Sequence, residues 1–345
     1  MKRIIGFAFI CLLQFGLCSA TIHTVCNMPY SPGMYTTFND AQAAAIDGDT
    51  IYMHASSISY GDIQVIRRLV IIGTGHKPDK PNGLYSSFHG IVVTAPFVQL
   101  IGLTISYVSS DTQFVTIRKC RIIGSSSGAT AAIMSHWSGD DWLIEGNIFD
   151  LSSGLPAVDF HGWPANNCVI RNNIFSGPGV KIRYAGNSGP QQIYLLNNIF
   201  LSNNTSQTFE FVQRAVINNN IFVSSDPVAG LADSEMNNNI SFACLTDFNQ
   251  PGSNNLDDVD PLFTNFPGPG TFFSYTHNYS LMAGSPGHNS GTDGTDRGLF
   301  GGIGSIFTMT GEPSIATVTA FTITSPTTIA PNGTLTISVT SKRVH

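Results

Sequence analysis

Nine side chains in the middle of the chain are of the types that proton transfer, metal binding and sugar recognition use: His136, Trp137, Asp159, His161, Trp163, Lys181, Arg183, Tyr184 and Glu210. Lys181, Arg183 and His161 are candidates for a base that removes a carbon-bound proton, or for cations that neutralise a carboxylate. Asp159 and Glu210 are candidates for hard oxygen ligands of a cation such as Ca2+, or for the carboxylate pair of a hydrolase. His136, Trp137, Trp163 and Tyr184 offer an aromatic and polar rim on which sugar rings stack. Whether these residues meet depends on what brings positions 136 to 210 together.

A repeated phrase supplies that framework. It is written five times: Leu143-Ile144-Glu145-Gly146-Asn147-Ile148-Phe149, Val169-Ile170-Arg171-Asn172-Asn173-Ile174-Phe175, Tyr194-Leu195-Leu196-Asn197-Asn198-Ile199-Phe200, Val216-Ile217-Asn218-Asn219-Asn220-Ile221-Phe222 and Glu235-Met236-Asn237-Asn238-Asn239-Ile240-Ser241. The last Asn recurs at 147, 173, 198, 220 and 239, so the intervals are 26, 25, 22 and 19 residues. Near-regular spacing of this size is the signature of a solenoid with turns of variable length. Leu103 and Cys120 align with Asn147 and carry the register back by two coils. Short apolar alternation without helical periodicity predicts parallel strands stacked along one axis. At a coil corner an Asn amide can donate to and accept from the bend and from the Asn one coil away, and it tolerates the left-handed backbone of a sharp turn. The Ile and Phe that follow are both expected to point into the core.

The phrase also works as a ruler. With Ile133, Val158, Val180 and Phe209 facing inward, together with Phe160, Ile182 and Phe211, the outward residues fall into two files. One is Met134, Asp159, Lys181, Glu210, and the other is His136, His161, Arg183, Val212. Adjacent strands lie roughly 4.8 Å apart, which puts Asp159 and Glu210 roughly 9 to 10 Å from each other, at or just beyond the upper edge for an inverting hydrolase. The competing reading is a solvated ion file on an outward sheet face, worth little energetically. Asp140-Asp141 after Gly139 reads as a turn.

The elements around the repeat read as closures. Met34 to Ile46 is predicted to be one short helix, with Thr37 as N-cap and Phe38, Ala41, Ala45 and Ile46 on one face. Placed before a first strand at Thr50–Met53, it would cap the open end of the solenoid. Near the C-terminus, Phe321–Thr324 and Thr334–Val339 flank an Ala-Pro-Asn-Gly turn and read as two strands, a β-rich tail over 303–345 that is either paired with the solenoid or an incomplete Ig-like module.

Residues 1–20 have the pattern of a secretory signal: Lys2 and Arg3, an apolar run from Ile4 to Leu17, then small residues to Ala20. The expected location is therefore secreted, periplasmic or cell-surface, with no transmembrane segment and a monomer. Removing the signal leaves 14 Lys and Arg against 22 Asp and Glu, a balance of −8 that disfavours nucleic acid. It also leaves Cys26, Cys120, Cys168 and Cys244, whose spacing matches no metal motif. Their number permits disulfides, although Cys120 on the ladder register is better read as a buried thiol.

The recurrent V-I-x-N-N-I-F phrase, the capping segment Thr37–Met53, and the closing phrases Asp260-Pro261-Leu262-Phe263, Gly284-Ser285-Pro286 and Gly291 to Gly298 resemble the secreted right-handed parallel β-helix proteins of the pectin-lyase-like superfamily. The likeness spans 21–302. It implies an all-β, right-handed parallel β-helix, and a polysaccharide as partner. It does not choose among lyases, hydrolases, esterases, epimerases and non-catalytic surface proteins, because one fold hosts many chemistries. Three readings follow. The first is a β-helix that binds an acidic polysaccharide and cleaves it as a lyase. The second is a non-catalytic extracellular carbohydrate-binding or adhesion module, and the third is a glycoside hydrolase.

Overall fold

Within each phrase the burial alternates as a strand demands. Ile144, Ile170, Leu195, Ile217 and Met236 are buried, whereas the residues on either side are partly exposed, except Glu145. Stacking these segments yields a ten-stranded parallel sheet running from Ile22–Val25 to Glu235–Asn237, with equivalent positions of successive phrases opposite one another. We call this the first sheet. The computed structural model describes residues 20–343, apart from 30–31, 79–82, 125–128, 137–138, 162–164, 186–192, 204–206, 306, 315 and 324–336. Trp137 and Trp163 lie outside the described residues, as do the signal-like segment through Ser19 and the expected Ala330-Pro331-Asn332-Gly333 turn.

After the Asn corner the chain enters a second set of parallel strands. Ser87–Val93 and Thr104–Ser110 each cross it in one piece. In later coils the strand breaks into two, so the set forks. One arm runs through Arg121–Ile122, Ile148–Asp150, Ile174–Ser176, Ile199–Leu201, Ile221–Val223 and Ile240–Phe242, and is the second sheet. The other runs through Ile133–Ser135, Val158–Asp159, Ile182–Arg183 and Phe209–Glu210, and is the third sheet. Three sheets wound about one core make the expected right-handed parallel β-helix. The expected N-terminal cap is present but shorter: the helix is Phe38–Ala44, because Tyr35 is held in a bridge to Val25. Thr37 is its N-cap, accepting from the Asp40 amide, and Phe38, Ala41 and Ala45 are buried while Ile46 is exposed.

The corner divides between two residues the work that the sequence assigned to one. Gly102, Lys119, Gly146, Asn172, Asn197, Asn219 and Asn238 carry the left-handed backbone, with φ between 53° and 66°. The next residue carries the ladder. Asn147, Asn173, Asn198, Asn220 and Asn239 are fully buried. Each accepts, through Oδ1, the backbone and side-chain N–H of the preceding ladder residue, starting with the amide of Cys120. Asn255 continues the ladder one coil further. All four cysteines of the described chain are free thiols, and Cys120 is buried as expected.

Beyond the corner, Phe149, Phe175, Phe200 and Phe222 do stack in the core, at centroid spacings of 4.4, 5.0 and 4.8 Å. The isoleucines do not join them. Alternation along a strand sends Ile148, Ile174, Ile199, Ile221 and Ile240 to the opposite face, where the chain after the last coil covers them with Phe263, Tyr279, Leu299 and Phe307. Burying each such side chain is worth about 1.5–3 kcal/mol, so this plate is a second core.

The plate continues as a strap that runs back toward the N-terminal end. Asn238 donates to Ser290 O, Asn219 exchanges hydrogen bonds with Thr292, Asn197 donates to Asp296 O, and Asn172 donates to Leu299 O and Gly301 O. The left-handed asparagines thus serve as a row of clasps. Arg297, buried, donates to the carbonyls of Ser290, Asn239 and Asn254, which closes the ladder's end. Ala316–Ile323 and Ile337–Arg343 pair as antiparallel strands.

Candidate functional site

The third sheet positions the residues singled out by sequence, with one slip of register. Ile133, Val158, Ile182 and Phe209 pair across it, so the outward file is Met134, Asp159, Arg183 and Glu210. Arg183, not Lys181, stands beside Asp159. The slip is two residues, which preserves the face and moves the position by one step. It arises because the turn before Ile182 is two residues longer than the apolar pattern suggests, leaving Val180 half-exposed outside the core. Phe211 is also not in the core: it is 54% exposed, turned out by a φ of 53°.

Lys181 is the larger correction. It shares the outward parity, but the turn Gly177–Val180 folds over it and leaves it 1% exposed. Its Nζ donates to Gly177 O and Gly179 O, at 2.6 and 2.5 Å, and burial pushes its pKa down to about 7. An amine enclosed by its own turn has no path to a substrate.

Asp159 is fully buried and holds two partners in place. Oδ1 accepts the His161 amide at 2.7 Å, and Oδ2 accepts Arg183 Nη2 at 2.6 Å and Nε at 3.1 Å. Both oxygens are therefore committed. Neither a Ca2+ ion beside that guanidinium nor a glycosidic oxygen fits there, and no group of three His, Cys, Asp or Glu among the described residues is placed to hold a metal. The expected roles of Asp159 as metal ligand or hydrolase carboxylate do not suit this geometry. What Asp159 does is fix Arg183, whose side chain is 24% exposed, at a charge-assisted contact.

Around that guanidinium lie the remaining groups. Arg183 Cζ sits 5.4 Å from the centre of the Tyr184 ring, which stacks on Phe211 at 5.1 Å and 4°. Glu210 follows Arg183 in the file, partly exposed, with no side-chain partner among the described residues. His136 and His161 meet edge-on at 6.0 Å, and His161 is exposed. Asp140 and Asp141 belong to a turn, as expected: Asp140 accepts from Asn166, and Asp141 has a φ of 57°.

Sequence reasoning missed two other clusters. On the strands that lead into the third sheet, His89 and Tyr107 both reach Asp62, with Tyr107 lying across Gly90, where a Cβ would stand 2.2 Å from the ring. On the first sheet, Glu145 lies between Arg118 and Arg171. Its signal was present in the third position of the phrase, where opposite charges occur in consecutive coils.

No family model and no curated protein matches the chain. Among solved structures, two of the pectin methylesterase from Aspergillus niger align with it, one in penultimately deglycosylated and one in deglycosylated form. Each alignment covers 69% of this chain and 86% of the other, at 13% and 11% identity with TM-scores of 0.30 and 0.29. The likeness is one of fold alone. Among the described residues no helix is long and apolar enough to cross a membrane.

Proposed function

We propose that the chain is an extracellular β-helix that binds an acidic polysaccharide on its third sheet. The observation that carries this reading is Arg183: a guanidinium anchored by a fully buried carboxylate, part-exposed, and set against the stacked rings of Tyr184 and Phe211. A fixed planar cation suits a carboxylate on the glycan, and the two rings offer apolar surface to the sugar beside it. Arg183→Gln is expected to weaken binding to polygalacturonate about tenfold, the scale of one charge-assisted contact, with no effect on neutral glycans. Phe211→Ala, at an exposed position that tolerates truncation, is expected to weaken it in the same direction. Affinity electrophoresis measures both, and retention of both variants at the wild-type level would overturn the proposal.

Cleavage is a second step that the same site supports. β-Elimination needs a neutralised carboxylate and a base. With Lys181 enclosed and Arg183 bound to Asp159, the exposed His161, tied through its amide to the same carboxylate, is the base in this reading. Incubation with uronate polymers should then give unsaturated product, and His161→Ala should abolish it. Binding without product would assign the chain to the non-catalytic alternative.

A further inference from the structure

The outward face of the first sheet is a trough rather than a plain surface. Its floor is the file Arg118, Glu145, Arg171, Leu196, Asn218 with its neighbours Thr116, Leu143, Val169, Tyr194 and Val216. One wall is the strap, held against the corner by the left-handed asparagines and contributing Thr292, Asp293 and Ile303. The other is the opposite corner, where Phe97 and Phe114 stack at 4.5 Å and 6°, both exposed and both in the left-handed region. Two cavities lie along it, about 330 Å3 beside Phe97 and Phe114 and about 320 Å3 between Arg171 and the strap. The seven strands from Gln99–Ile101 to Glu235–Asn237 span about 29 Å at ordinary strand spacing.

Its middle is charged in a particular way. Glu145 is 2% exposed, with Oε1 2.5 Å from Arg171 Nη2, at an angle poor for a hydrogen bond, and Oε2 3.5 Å from Arg118 Nη2. One buried carboxylate thus neutralises one of two guanidiniums. Arg118 and Arg171 keep side-chain exposures of 32% and 38%, and each has a buried Nε with no partner. They stand two strands apart, about 10 Å, along the axis of the trough. The chain as a whole is negative, −6, so long-range steering works against an anion and recognition must come from these short-range contacts.

We propose that this trough is a second binding groove, for an extended glycan bearing carboxylate or sulfate groups, with Arg118 and Arg171 receiving its anions and the Phe97–Phe114 edge its sugar faces. It is independent of the third sheet and stands or falls separately. The test is affinity electrophoresis of the full chain in gels containing polygalacturonate, dextran sulfate or neutral dextran. The triple variant Arg118→Gln, Glu145→Gln, Arg171→Gln removes the charges without stranding one, and Val169→Glu adds a negative charge to the floor with the triad intact. Both are expected to lose about tenfold or more in affinity for at least one polyanion, and the preferred polyanion tells carboxylate from sulfate. Circular dichroism should be unchanged; if the triple variant does not fold, Val169→Glu decides. Wild-type retention of the folded variants overturns the proposal, as does a wild-type chain that neither polyanion retards. Loss of binding in Arg183→Gln alone would support the third-sheet site and reject this one.

Discussion

Replacing Asn198 with Ala should lower the stability of the fold by about 3–5 kcal/mol, because several buried polar groups lose partners at about 1–3 kcal/mol each. The side chain makes four hydrogen bonds in a site with no exposure. Nδ2 donates to Ile170 O at 2.8 Å and to Asn220 Oδ1 at 3.0 Å; Oδ1 accepts from Asn173 N and Asn173 Nδ2, both at 3.0 Å. Truncation strands the Asn173 amide and the Ile170 carbonyl in the middle of the solenoid, away from bulk water. The neighbouring coils are coupled through the same column, so the loss should appear as a lower denaturant midpoint for the whole helix. Asn172→Ala, one residue earlier, is the informative contrast. It sits at φ 53° and donates to Leu299 O and Gly301 O, so its loss should loosen the strap, with faster proteolysis near 290–303 and a cost nearer 1–2 kcal/mol. A variant pair in which both changes behaved alike would contradict the division of labour between the two asparagines.

That division shows what the sequence can and cannot express. The period of the phrase gave the fold, the ladder register and even the alignment of Leu103 and Cys120, because repetition at fixed spacing has few structural solutions. It did not say which of Asn172 and Asn173 turns the corner, since both roles favour the same residue type. Gly146 before Asn147 was the hint: glycine can take the left-handed corner but has no side-chain amide to build a ladder. The outward isoleucines were misplaced for a related reason. An Ile-Phe pair after the corner is apolar at both positions, and alternation forces one of them outward only if something covers it. The cover comes from Phe263, Tyr279, Leu299 and Phe307, which lie beyond the last coil and share one cluster with the isoleucines, a grouping that no local pattern carries.

The third-sheet site was legible in part for the same reason. Asp159 and Glu210 sit in one file two strands apart, as the ruler predicted, and His136 faces His161. The ruler failed between them, at Gly177-Pro178-Gly179-Val180, because turns between coils vary in length without changing the apolar alternation of the strand that follows. A slip of two residues keeps every side chain on its face, so the pattern gave no sign of the error. It exchanged Lys181 for Arg183 and turned a proposed catalytic amine into a buried one. The trough on the first sheet escaped notice because its charges occupy the variable position of a phrase whose invariant residues drew the reading toward structure.

Lys181 now makes a prediction of its own, and the sign follows from where its proton is bound. Burial lowers the pKa in the folded chain from 10.5 to about 7, and two carbonyl acceptors match the two hydrogens of a neutral amine, leaving none for a third. Below pH 7 the amine is charged in both folded and unfolded chains, so the fold bears the full cost of a buried ammonium. Between about pH 7 and 10.5 the unfolded chain still holds a proton that the folded chain has released, and stability therefore rises with pH. Above 10.5 the cost is gone. The change amounts to about 3–5 kcal/mol at 1.36 kcal/mol per unit. Lys181→Met removes the titration but also leaves Gly177 O and Gly179 O without their donor, a loss that stays constant with pH. The difference between the two proteins, followed by chemical denaturation across this range, should therefore shift in favour of the wild type by that amount as pH rises. Cys120, Cys168 and Cys244 also titrate in the window, their thiols pushed up by burial, and they work in the opposite direction. They are common to both proteins and cancel in the difference. A difference that stayed flat from pH 7 to 10.5 would mean that Lys181 keeps its charge in the folded chain, and that water or an anion reaches the turn that encloses it.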